Sequence, residues 1–122
     1  MAELIPAPTR IPVPGGKVID EYVGRVNSGT ESVSVAYMQA PPGWSEPAQT
    51  PQFDEITLVL RGMVRADVPA KGGGTKTLDV RAGQALLTRA GETVRYSTGE
   101  EETDYVAICL PAFSPETVNR EE

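Results

Sequence analysis

The sequence contains no histidine, and this absence removes the most common transition-metal ligand and the most common general base from its chemistry. Catalytic triads or dyads built on histidine and a histidine-bound zinc are therefore excluded. A single cysteine, Cys109, has no partner for an intrachain disulfide. The N-terminus lacks the basic start and apolar run of a secretory signal, and no apolar run reaches the roughly 20 residues of a membrane-spanning helix. We expect a cytoplasmic protein.

Positive charge is also scarce. Eleven basic residues stand against seventeen acidic ones, so the formal net charge is −6. A chain of that charge repels phosphate backbones and anionic lipids, and we expect neither a nucleic acid partner nor a membrane. The length of 122 residues predicts one domain, and a hydrophobic content of 39% is too high for a wholly disordered chain.

Short Val-rich segments are separated by 12 glycines and 11 prolines, which is typical of an all-β chain. Four prolines between residues 6 and 16 predict an extended arm. We expect an arm at 1–17, a barrel at 18–113 and a solvated acidic tail at 114–122. Strands are predicted at 18–26, 32–39, 53–60, 63–68, 76–80, 85–88, 93–97 and 105–110. The first of these segments also fits a short helical face.

Two stretches carry a spaced pattern of glycines around a single glutamate. Residues 43–62 read GWSEPAQTPQFDEITLVLRG, and residues 83–98 read GQALLTRAGETVRYST. They resemble the paired motifs of the cupin superfamily, in which glycines flank two histidines and a glutamate in the first motif and precede a third histidine in the second. At the spacing of these motifs, the corresponding residues are Gly43, Gln49, Pro51, Glu55, Gly62, Gly83, Arg89, Gly91, Val94 and Thr98.

The resemblance retains the glycines and Glu55, but Gln49, Pro51 and Val94 stand at the three histidine positions. It implies a single-domain, antiparallel β-barrel of jelly-roll type, usually a homodimer, with a central pocket. It also implies that the metal of the family is lost, and we expect no metal and no cofactor. Among cupins, the chain looks most similar to the histidine-poor ethanolamine-utilisation type.

Residues 55–60 alternate between a mixed face and an aliphatic face. The mixed face carries Glu55, Thr57 and Val59, and the aliphatic face carries Ile56, Leu58 and Leu60. We expect the mixed face to line the pocket. The aliphatic face is expected to pack against the other sheet, the arm or a partner subunit.

Glu55 is the first candidate catalytic residue, because the cupin glutamate points into the barrel and burial raises a carboxyl pKa towards the range of a general acid or base. Alternatively, it faces solvent or pairs with an arginine. Tyr96 lies two residues after Val94, on the same face of the strand, and is predicted to face inwards. Its phenol either orients a substrate or acts as an acid, or the side chain only fills the core. Gln49 is a candidate ligand-binding amide, or it caps local backbone.

The long loop before the glutamate strand supplies three candidate rim residues, Trp44, Glu46 and Gln52. Trp44 either stacks on a ligand or fixes the loop to the barrel. Tyr37 and Tyr105 are secondary pocket candidates, with core packing as the alternative.

Three functions remain open. The first is a metal-independent enzyme that moves protons on a small metabolite through Glu55, of isomerase, dehydratase or lyase type. The second is a non-catalytic cupin that binds or senses a small ligand. The third is a weak metal site made by Glu55 and Gln49. The sequence does not decide whether the chain is an enzyme.

Overall fold

The computed structural model describes residues 1–121, and those residues form nine β-strands and no helix. All strand pairs are antiparallel, in a six-stranded sheet of order β1-β2-β3-β9-β4-β7 and a three-stranded sheet of order β6-β5-β8. The strands are β1 (Thr9–Ile11), β2 (Val18–Val23), β3 (Ser34–Ala40), β4 (Asp54–Arg61), β5 (Met63–Pro69), β6 (Thr75–Arg81), β7 (Ala85–Thr88), β8 (Arg95–Thr98) and β9 (Thr103–Leu110). Nowhere in residues 1–121 is there a helix long and apolar enough to cross a bilayer.

The predicted all-β, antiparallel architecture is confirmed, and the eight predicted strands correspond to β2–β9 with shifted ends. The first of them forms a strand rather than a helix. It ends at Val23, before residue 26, because the Glu21 carboxylate accepts the backbone N–H groups of Val26 and Asn27 and closes a turn there. The proline-rich segment contains β1, which pairs with β2 and which the sequence pattern did not indicate.

The two faces of β4 differ in burial, as the alternation predicts. The mixed face lies inside, where Glu55, Thr57 and Val59 are all buried. The aliphatic face lies outside, with Leu58 36% and Leu60 50% exposed. The expectation that the other sheet or the arm covers this face is wrong, because the three-stranded sheet packs on the opposite, inner face.

The core is built from inner-face residues of both sheets. Val59 from β4, Val64 from β5 and Val94, just before β8, are fully buried in one cluster. Burial of three valines against one another supplies on the order of 1.5–3 kcal/mol for each side chain. This cluster holds the two sheets together and leaves space beside it.

Gly62 makes the tight connection between β4 and β5. Its φ is +78°, and a Cβ there would lie 2.5 Å from both the carbonyl oxygen of Glu102 and Oγ1 of Thr103. No L side chain fits such a contact, so glycine is required. The connection brings the inner faces of the two sheets together around the space beside the core.

Candidate functional site

A cavity of about 430 Å³ opens beside the core, between the six-stranded sheet and the loop that precedes β4. Volumes of this size are typical of small-ligand pockets. Its wall includes the segment before β2, the inner faces of β3, β4, β8 and β9, and the C-terminal segment. Its polar lining residues include Lys17, Glu46, Gln49, Glu55, Tyr96 and Arg120.

The positions of the three cupin histidines come together at one side of the barrel. Gln49 and Val94 form an isolated antiparallel bridge with two backbone hydrogen bonds of 2.9 Å. The buried Gln49 side chain accepts a hydrogen bond from Nη2 of Arg120 at 3.0 Å. Pro51 is buried as well, and its carbonyl accepts the N–H of Gly91 at 2.8 Å. The three positions that the resemblance aligns with cupin histidines therefore lie near one another and carry other side chains.

Glu55 lies on the cavity floor because its β4 position faces inwards. Its Oε1 accepts a hydrogen bond from the Tyr96 hydroxyl at 3.1 Å. Burial raises the pKa of Glu55 from 4.5 to about 7, although the bond from Tyr96 and the charges of Lys17 and Arg120 oppose the rise. Burial also raises the pKa of Tyr96, so the phenol keeps its proton and acts as a donor. Near neutral pH Glu55 therefore exists in both protonation states and can give or take a proton.

Two aromatic rings and one ammonium group also line the cavity. Trp44 is buried, and its backbone N–H donates to Oγ1 of Thr98 at 3.0 Å, which fixes the loop to β8. Tyr105 projects from β9 and lines the same space. Lys17 Nζ lies 4.0 Å from the centroid of the Trp44 ring and 5.2 Å from that of Tyr105. These distances are typical of cation–π contacts.

Six of the eight predicted site residues line this cavity, namely Glu55, Tyr96, Gln49, Trp44, Glu46 and Tyr105. The other two do not. Tyr37 points to the outer face, where its hydroxyl donates to Oδ2 of Asp104 at 2.9 Å. Gln52 is exposed, and its backbone N–H donates to the carbonyl of Thr117. Tyr37 was misplaced because both faces of β3 mix polar and apolar residues, so alternation alone did not show which face is inside.

Three cations that line the cavity, Lys17, Arg25 and Arg120, were missed. Lys17 stands directly before β2, in a Gly-Gly-Lys context that carries no recognisable spacing signal. Arg120 belongs to the segment expected to be a solvated tail. That segment instead packs on the loop, since the N–H of Glu121 donates to the carbonyl of Ala48 at 2.7 Å. Arg120 also lies 3.6 Å from Oε2 of Glu46.

Solved structures of oxalate decarboxylase from Bacillus subtilis share this architecture. One superposes with a TM-score of 0.78 at 17% sequence identity, covering 93% of this chain and 30% of that chain. A variant of the same enzyme gives a TM-score of 0.79 with the same identity and coverage. The chain has a cupin-type fold. At this identity the likeness concerns the fold alone, and no family model matches the sequence.

A relative at higher identity comes from Myxococcus xanthus (strain DK1622). The protein named Endoribonuclease YbeY is 43% identical to this chain over 112 residues, which cover 91% of this chain and 36% of the relative. The chain therefore spans about a third of the length of the relative that it matches.

This relative overturns three predictions. Its name is that of an enzyme that cuts RNA, which contradicts a small-metabolite function, a partner list without nucleic acid, and the description of a metal-independent small-molecule-binding protein. The charge argument did not consider where the basic residues lie. A net charge of −6 opposes extended contact with a phosphate backbone, but it averages over the whole surface, whereas Lys17, Arg25 and Arg120 all line the cavity.

Proposed function

We propose that this chain acts in RNA processing, as a domain that receives one unpaired nucleotide of an RNA and works beside an endoribonuclease domain. The observation that carries the proposal is the 43% identity to a protein named as an endoribonuclease. Because the match takes up 36% of that protein, most of its length is available for a separate cutting domain.

The cavity supplies what single-stranded RNA recognition needs. Unpaired bases are recognised by stacking on aromatic side chains and by hydrogen bonds to their edges. Trp44 and Tyr105 offer the aromatic surfaces, while Gln49, Glu55 and Tyr96 offer donors and acceptors. A base on the Trp44 face would displace the Lys17 ammonium, which would then be free to pair with a phosphate.

The charge of the chain limits how the RNA is held. The cavity lining includes three cations, Lys17, Arg25 and Arg120. It also includes three acidic residues, Glu21, Glu46 and Glu55. A long phosphate tract gains nothing from such a surface, whereas one nucleotide can contact one or two of the cations. Since each phosphate contact on a single strand contributes a slope of about −0.7 to log K against log salt, we expect a shallow total slope of about −0.7 to −1.4.

Binding of a labelled short single-stranded RNA, followed by fluorescence anisotropy, tests the proposal. We expect saturable binding with the shallow salt dependence, and at least about tenfold weaker binding of the same sequence as a duplex, whose bases are not accessible. Absence of binding to single-stranded RNA, or equal affinity for the duplex, would overturn it.

Substitutions locate the RNA in the cavity. Trp44→Ala should weaken binding by about tenfold or more, because base–aromatic stacking contributes about 1–3 kcal/mol for each base. Trp44→Phe keeps an aromatic face and should retain most of the affinity. Leu58→Ala, on the outer face of β4, serves as the matched control and should change nothing. If Leu58→Ala and Trp44→Ala weaken binding equally, the RNA does not enter the cavity.

A second candidate is that the chain itself cuts RNA. The observation that favours it is the pKa of about 7 for the buried Glu55, a value suited to a general base that would deprotonate a ribose hydroxyl. Incubation of the isolated chain with single-stranded RNA, with and without added divalent metals, separates the candidates. Cleavage that Glu55→Gln abolishes would establish the second candidate, whereas binding without cleavage supports the first.

Two narrower predictions accompany the proposal. We expect the chain to act in the cytoplasm, and we keep the likeness to ethanolamine-utilisation cupins as an expectation about its nearest fold relatives. Both depend on sequence features and are independent of which domain cuts the RNA.

A further inference from the structure

Lys17 has an unusual environment for a lysine. Its side chain enters the cavity from the segment before β2, and its Nζ is held against the rings of Trp44 and Tyr105. Within residues 1–121, no hydrogen bond or ion pair joins Lys17 to another side chain. The ammonium is therefore held by two π faces and stays reachable from the cavity.

The surroundings of Lys17 lower its pKa below the ordinary value for a lysine. Burial lowers the pKa of its ammonium, and the positive charge of Arg120 lowers it further. The carboxylates of Glu46 and Glu55 raise the pKa again without cancelling the effect of burial. The cavity wall is mostly apolar, so water competes little for the amine. A desolvated lysine beside another cation is the environment in which proteins obtain a nucleophilic amine.

We propose that Lys17 is a nucleophilic amine that forms an imine with an aldehyde entering the cavity. The nitrogen lone pair attacks the carbonyl carbon, and a carbinolamine results. The carbon–oxygen bond then breaks, a carbon–nitrogen double bond forms, and both former N–H protons leave with the oxygen as water. No oxidant, reductant or further reactant is consumed.

A second group of the cavity assists this step. Loss of the carbinolamine hydroxyl needs a proton donor, and the carboxyl of Glu55 shares the cavity with Lys17. With a pKa of about 7, Glu55 is protonated in a substantial fraction of molecules at neutral pH and regains its proton from the nitrogen. The rings of Trp44 and Tyr105 favour an aldehyde with a flat, apolar body.

The other two lysines of the chain, Lys71 and Lys76, are exposed and serve as internal controls for the reactivity of Lys17. We would incubate the intact chain with benzaldehyde and cyanoborohydride at neutral pH, which reduces any imine to a stable amine, and measure each lysine by peptide mass spectrometry. We expect Lys17 to be modified several times faster than Lys71 and Lys76, because burial lowers the pKa of its ammonium and leaves more of it as the neutral amine. Equal or slower modification of Lys17 would overturn the proposal.

Two controls keep the result specific. Lys17→Arg retains a cation over Trp44 but removes the nucleophile, so labelling should be confined to Lys71, Lys76 and the terminal amine. If this variant does not fold, the unmodified chain in denaturant serves instead, and the advantage of Lys17 should disappear there. If Lys17 is still modified faster than Lys71 and Lys76 in the unfolded chain, its reactivity comes from the local sequence, and the cavity has no role. The outcome does not depend on whether RNA binds.

Discussion

The two faces of β4 show opposite relations between polarity and burial. On the inner face, the polar Glu55 and Thr57 are buried beside Val59, while on the outer face Leu58 and Leu60 are exposed. Whether a residue of β4 is buried thus depends on which face of the strand the three-stranded sheet and the loops cover. Hydropathy alone would have assigned these faces the other way round.

Each face depends on a different kind of interaction. The inner polar groups are stable because each finds a partner, such as the Tyr96 hydroxyl for Glu55, and no buried side-chain polar atom within residues 1–121 is left without one. The outer aliphatic side chains gain little from folding, because they remain in contact with water. Substitutions on the inner face should therefore have large effects and those on the outer face small ones.

The sharpest contrast is an aspartate placed on either face. Val59→Asp buries an uncompensated charge at a position with 0% exposure, and we expect a loss of more than about 4 kcal/mol in the free energy of unfolding, or no folding at all. Leu60→Asp, one residue along and half exposed, should cost less than about 1 kcal/mol. Circular dichroism and urea unfolding measure both. Similar losses in the two variants would refute the assignment of the faces.

Glu55→Gln tests the buried carboxyl through the pH dependence of stability. The pKa of Glu55 rises from its ordinary 4.5 to about 7 on folding, so its contribution to stability is fully present below about pH 4.5 and is lost as the pH rises through about 7. Glutamine does not ionise. The variant should equal the parent at low pH and exceed it by up to about 3 kcal/mol at about pH 8, since a tenfold change in proton affinity corresponds to about 1.4 kcal/mol.

The control for this comparison is Glu100→Gln, at an exposed turn position, which should run parallel to the parent at every pH. Urea unfolding at several pH values gives the free energies. A difference between Glu55→Gln and the parent that stays constant with pH would show that Glu55 ionises normally in the folded chain.

Tyr96→Phe removes the hydroxyl that donates to Glu55. Because this bond stabilises the carboxylate, its loss should raise the pKa of Glu55 further and cost about 1.5–3 kcal/mol where the group is ionised, but less where it is protonated. Titration of the Glu55 carboxyl by nuclear magnetic resonance measures the shift. Tyr37→Phe removes a hydroxyl of equal kind on the outer face and should leave the Glu55 titration unchanged. A Glu55 titration that Tyr96→Phe also leaves unchanged would contradict the inner hydrogen bond.

The smallest effect is expected for Leu58→Thr. This change replaces an exposed aliphatic side chain on the outer face by a β-branched polar one that suits a strand. We expect the free energy of unfolding to change by less than about 0.5 kcal/mol, as measured by urea unfolding. A loss above about 2 kcal/mol would mean that the outer face is covered when the chain is in solution.

Much of the fold was predictable because β-strands leave local signals. Alternation and turn glycines located eight strands, and Gly62 was assigned correctly to the turn after β4. The three-residue strand β1 could not be predicted, because it has no alternation of its own and forms only by pairing with β2. Its existence is a property of the assembled sheet.

The site was predictable where a spaced motif or strand parity placed a residue, as for Glu55 and Tyr96. Lys17 and Arg120 could not be predicted, because segments distant in sequence bring them to the cavity. The functional prediction failed at another level. Net charge describes the whole chain, and the likeness to a protein named as an endoribonuclease extends over 112 residues rather than lying in one short motif.

The alternation in β4 also constrains how this chain can diverge. Neighbouring residues such as Glu55 and Ile56 point to opposite sides, so substitutions can alter the cavity and the outer surface separately over many generations. One residue inserted or deleted within β4, with no compensating bulge, would exchange the faces of the β4 residues on one side of the change. Changes of length are tolerable instead in turns such as residues 70–74, where three glycines in a row face open space. Substitutions on the outer face of β4 should therefore be tolerated more readily than those on its buried inner face.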